Sequence, residues 1–144
     1  MIQDIVHAIE IRAPRARVWQ VVTQPELVAE WLGCIGFECT LGHVFYMQQD
    51  PSKRAAGDIS GATHCEITRI DAPDAFEFSW YYPETPRTLV AMRLSDIPGG
   101  TRAELVHSGW DQFEPEQIRA IRDMLDGGWS SFVLPQLQRV AERA

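Results

Sequence analysis

Lysine is nearly missing from this chain: Lys53 is the only one, and 20 acidic residues outnumber 13 basic ones for a net charge of −7. A nucleic-acid surface neutralises phosphates with clustered Lys and Arg, so this balance argues against a nucleic-acid partner. The Arg12, Arg15 and Arg17 group reads as the solvated face of a short helix. Cysteine is scarce too. Cys34, Cys39 and Cys65 are odd in number and lack C-x-x-C spacing, which argues against a disulfide framework and a structural zinc site and leaves free thiols. No apolar run approaches the ~18 residues of a membrane-spanning helix, so membrane insertion is not expected. No basic-then-apolar leader precedes the first strand, which makes the cytoplasm the expected location. The chain has no G-x-S-x-G, H-E-x-x-H, P-loop or G-x-G-x-x-G pattern, and neither a cofactor nor a metal is expected.

What remains is the composition of a globular protein, 45% hydrophobic and 10% aromatic over 144 residues. One domain over residues 1–144 is expected, long enough to bury ~70% of the unfolded chain's surface. His7, Ile9 and Ile11 alternate with Ala8, Glu10 and Arg12, the period of a strand. Pro14 stops that strand and opens a short helix carrying Val18, Val21 and Val22 on one side, with Trp19 flanking. Thr23 and Glu26 match a capping box, and Pro25 opens a second short helix to about Leu32.

From Phe37 to Trp110 the pattern is an antiparallel meander. Strands are expected at 37–40, 43–49, 62–70, 76–82, 88–97 and 102–108, with turn formers at each joint. The polar stretch 50–61, holding Pro51, Gly57 and Gly61, reads as a long mobile loop. Phe76, Phe78, Trp80 and Tyr82 share one face of their strand, and that face needs a cover. Residues 115–143 supply it: Ile118, Ile121, Leu125, Trp129, Phe132, Val133, Leu137 and Val140 recur at helical spacing. Gly127-Gly128 and Pro135 predict a bend near the middle, with the stripe holding its phase across both glycines.

The class is therefore α+β: a curved antiparallel sheet of six or seven strands wrapped on a long C-terminal helix, with two short helices after the first strand. This order resembles the helix-grip architecture of the START-related, polyketide-cyclase-like superfamily. More narrowly, the chain is similar to bacterial homologues of the C-terminal domain of the heat-shock-protein-90 ATPase activator. The matching words are Ile11-x-Ala13-Pro14, Val18-Trp19, Thr23-x-Pro25, Trp31, Phe78-x-Trp80, Gly100-Thr101, His107-Ser108-Gly109-Trp110 and Gly128-Trp129. The resemblance implies a cavity between the sheet and the long helix. Superfamily members include lipid carriers, hormone receptors, cyclases and dehydratases, so fold alone does not name an activity. The chain lacks the additional N-terminal domain through which the eukaryotic co-chaperone makes much of its contact, so a chaperone partner is not expected. A homodimer is left open.

Polar or aromatic groups interrupting an apolar wall are the natural ligand contacts in such a cavity. The candidates are Trp31, Met47, His64, Glu66, Phe78, Trp80, Met92, His107, Trp129 and Phe132, with Tyr46 beside them; Trp80 and Trp129 are suited to stacking a flat ligand. Three readings follow. The first is binding of a small hydrophobic molecule, aromatic or lipid-like. The second is cyclase, dehydratase or hydrolase chemistry with His107 and Glu66 as acid and base. The third is a protein-interaction role like that of the chaperone activator.

Overall fold

The computed structural model describes residues 2–143. Seven strands form one antiparallel sheet: β1 (Ile5–Ile11), β2 (Cys34–Ile35), β3 (Val44–Met47), β4 (Thr63–Asp71), β5 (Ala75–Tyr81), β6 (Thr88–Ile97) and β7 (Gly100–Ser108). Their spatial order is β1-β7-β6-β5-β4-β3-β2, a meander that β1 joins beside the last strand. Between β1 and β2 lie α1 (Arg15–Thr23) and α2 (Pro25–Val28); α3 (Pro51–Ala56) lies between β3 and β4. After β7 the chain makes a 3-10 turn at Trp110–Gln112, then α4 (Pro115–Gly128), a π turn at Trp129–Val133, and α5 (Leu134–Glu142). The sheet, the two short helices and the long broken helix form the expected helix-grip arrangement. No helix among the described residues is long and apolar enough to cross a membrane.

The sheet curls because β4 slips register between Ile67 and Arg69, and such a bulge sharpens local twist. Its concave face carries Cys65, Ile67, Phe76, Phe78, Val90, Met92, Leu94, Ala103 and Leu105, all buried. The turn from β6 into β7 admits only glycine at position 100, where a Cβ would stand 2.0 Å from the Ile11 carbonyl oxygen. Its neighbour Thr101 donates its hydroxyl to the Ala13 carbonyl at 2.8 Å and so clamps the exit of β1. Trp31 donates its indole N–H to the Val21 carbonyl at 2.8 Å and fixes α2 on α1.

Four local expectations change. Residues 37–40 form no strand: Gly36, at φ 71°, turns the chain out of β2, and Phe37 packs its ring on Phe45. The Thr23–Glu26 capping box is not made, because the Thr23 hydroxyl bonds back to the Trp19 carbonyl at 2.6 Å within α1. The 50–61 stretch is not a free polar loop. Asp50 caps α3 by accepting from the Ser52 and Lys53 amides, and buried Gln48 donates to the Asp58 and Ser60 carbonyls beyond it. Finally, the C-terminal stripe holds across the glycines to Trp129 and slips directly afterwards. The Leu134 amide reaches back five residues to the Trp129 carbonyl, and the extra residue resumes the buried series at Leu134, Leu137, Val140 and Ala141. Phe132 is thereby turned out to 72% exposure.

Candidate functional site

His107, on β7, is wholly buried. Its strand neighbours are Val90 on β6 and Ile5 on β1, and the rings of Trp80, Trp110 and Trp129 surround it with centroids 4.5–6.1 Å away. Its tautomer follows from chemistry. An indole N–H can only donate, so Trp129 Nε1 at 3.2 Å makes His107 Nδ1 an acceptor and puts the proton on Nε2. Nε2 then donates to Thr88 Oγ1 at 2.8 Å, and Thr88 Oγ1 donates to the Trp80 carbonyl at 3.1 Å. Trp110 Nε1 closes the web on the His107 carbonyl at 2.9 Å. Both ring nitrogens are spent, and burial lowers the pKa to about 3. This histidine is neutral and structural in its bonding, the keystone that joins β6, β7 and the π turn.

In front of the web the concave face opens. A groove of about 320 Å³ runs between the ends of β3, β4 and β5 and the inner side of α4. Met47, Thr63, Trp80 and Trp129 form its floor; Leu125, Gly128 and Val133 form the helical wall; Gln49, Tyr82, Ile121, Met124 and Phe132 stand at the rim. An adjoining hollow of about 250 Å³ shares Trp80, Tyr82, Ile121 and Leu125 with it and extends toward Trp110, Phe113 and Ile118. The groove exists because α4 stands off the sheet. Only Ile118 of α4 is buried, while Ile121 is 48% and Met124 68% exposed. Gly128 widens it further, since a Cβ built there meets nothing within 4 Å.

The structure separates the ten sequence candidates into four places. Met47, Trp80, Trp129 and Phe132 come together around the groove. Trp31, Phe78 and Met92 are buried in the packed core, Phe78 against Phe45 and Phe76. His107 sits behind Trp80 and Trp129, outside the groove lining. His64 and Glu66 lie on the opposite, convex face of the sheet, because the inward positions of β4 belong to Thr63, Cys65 and Ile67. There His64 packs against Tyr46 and Tyr81, Glu66 accepts from Arg87 at 3.0 Å, and the Arg87 guanidinium lies 3.9 Å from the Tyr81 ring centroid. Glu66 and His107 therefore do not face one another, which corrects the pairing expected of them. The alternation of β4 carried the signal: its apolar set includes Cys65 and Ile67, and the apolar set goes inward. Tyr82 belonged to the aromatic face of its strand without being a ligand candidate, and Thr63, Gln49 and Met124 escaped notice because they sit at strand ends or outside the regular stripe.

Burial holds the thiols of Cys34 and Cys65 in their neutral form by the same logic. Cys34 is raised to about 12 and Cys65 well above its ordinary value, chiefly by desolvation.

A family model described as "Activator of Hsp90 ATPase homolog 1-like protein" matches residues 12–142. The chain belongs to that family. Two solved structures extend the likeness over the whole fold. A protein from Mesorhizobium loti is 26% identical with a TM-score of 0.80, covering 99% of this chain and 98% of its own. One from Bacillus halodurans is 26% identical with a TM-score of 0.76, covering 98% of each. The Aha1 dimer from Colwellia psychrerythraea, at 18% identity and a TM-score of 0.74 over 98% of this chain and 97% of that one, shares the fold. None of the curated proteins compared matches the chain. In this member of the activator-like family, several of the words that mark the resemblance are framework residues: Gly100-Thr101 clamps β1, and His107, Trp110 and Trp129 make the buried web. Of the words quoted for it, Phe78-x-Trp80 and Gly128-Trp129 reach the groove, through Trp80, Gly128 and Trp129.

Proposed function

We propose that this protein binds a small hydrophobic molecule in the groove between the open ends of β3–β5 and α4, working in the cytoplasm. One observation carries the reading: half of the C-terminal helix holds its apolar residues over an apolar wall without closing on it, leaving about 320 Å³ lined by two tryptophans. That volume lies at the lower end of the ~300–1,000 Å³ of small-molecule sites, and apolar linings with a few polar groups are characteristic of them. Exposed Ile121, Met124 and Phe132 are costly to leave in water with no occupant. Binding is preferred to acid–base catalysis because His107 is locked between Trp129 and Thr88 and Glu66 is paired with Arg87 across the sheet.

The test is titration with Nile red, an uncharged dye whose emission rises in apolar surroundings. Saturable uptake with one site, accompanied by quenching of tryptophan emission, is the expected result. Uptake that stays linear with dye, or none at all, overturns the reading.

A further inference from the structure

The groove's lining holds no charge. Among its residues there is no Asp, Glu, Lys, Arg or His, and His107 lies behind the indoles with both nitrogens engaged. Polar atoms gather on one wall only. The Thr63 hydroxyl donates to the Tyr82 phenol at 3.3 Å, and exposed Gln49 also lines the groove, with no side-chain hydrogen bond to the protein among the described residues. The facing wall, from α4 and the π turn, carries only aliphatic, thioether and aromatic side chains.

From this we infer that the groove selects an uncharged, flat aromatic molecule bearing a hydroxyl, carbonyl or amide edge, with its rings laid on the floor that Trp80 and Trp129 make together, edge to face with centroids 5.5 Å apart, and its polar edge on Thr63, Tyr82 and Gln49. The inference rests on the groove being a binding site and names the chemistry it takes. An anion entering the groove exchanges its hydration for neutral donors with no cation to pair it, inside a chain of net charge −7. A cation finds aromatic faces but no carboxylate in the lining. A neutral hydroxyl or amide loses little, because a phenol, a threonine hydroxyl and a free amide offer both donors and acceptors. A bare hydrocarbon fits the aromatic wall but gains no hydrogen bond from the polar one.

Three probes with one ring system decide it: naphthalenemethanol, naphthoate and naphthalene, each displacing Nile red or titrated by calorimetry at neutral pH. The expected order is alcohol tightest, with naphthoate weaker by about tenfold or more. Thr63→Val, which keeps shape and strand preference, should weaken the alcohol about three- to tenfold and leave naphthalene unchanged. Equal affinity for alcohol and naphthoate, or an unaltered alcohol affinity in Thr63→Val, overturns the inference while the cavity reading stands. Failure of all three probes overturns both.

Discussion

The two halves of the C-terminal helix are made of similar residues and do different work. In α5, Leu134, Leu137, Val140 and Ala141 are all buried against α1 and β1. In α4, over 14 residues, only Ile118 is buried, and Ile121 and Met124 face the groove rim. The π turn between them makes the difference. By adding one residue to the helical count it lets α5 lie in the core while α4 stays lifted, with Trp129 pinned at the joint by His107. An apolar stripe thus reads as one surface in sequence but serves as core in one half and as binding wall in the other.

The contrast is broken or sharpened first by truncation. Leu137→Ala, at a wholly buried position, should cost about 2–5 kcal/mol of stability in urea unfolding. Met124→Ala, at an exposed rim position, should fall within about 0.5 kcal/mol of the parent yet weaken Nile red uptake. Similar costs for the two would mean that α4 is core as well.

The joint itself can be tested by pH. His107 ionises near 6.5 in the unfolded chain and near 3 when folded, so between these values the unfolded state binds the extra proton. Stability from this group is whole above about pH 6.5 and falls as the solution is acidified, by about 1.4 kcal/mol per pH unit and about 2 kcal/mol by pH 5. His107→Gln keeps a donor and an acceptor without a titrating ring, and its stability curve should be flatter over that window by this amount. An equal slope in the variant would place the acid sensitivity elsewhere.

Much of the fold was legible from the period-two runs, the prolines that open α1, α2 and α4, and the helical stripe after Pro115. The site was legible in part. Trp80 and Trp129 stood out because each carries a large ring on a face already marked as apolar. His64 and Glu66 were drawn inward because their polarity suggested chemistry, although Cys65 and Ile67 on the same strand showed which side faces the core. Phe132 lines the groove as a ligand candidate but stands exposed at the rim and not on the covering stripe, since a five-residue hydrogen bond leaves no mark in side-chain periodicity. Gln49 lies beyond the end of β3, where alternation no longer says which way a side chain points.

The claim that α4 is a binding wall over an open groove is tested most directly by Gly128→Leu. Gly128 has helical backbone angles and nothing within 4 Å of a built Cβ, so a larger side chain enters the groove without meeting the core. Helix propensity favours the change by up to about 1 kcal/mol. Thermal unfolding and Nile red titration of the same sample should show a melting temperature equal to or above the parent's with dye uptake lost. A lowered melting temperature, or uptake that persists unchanged, would contradict the account.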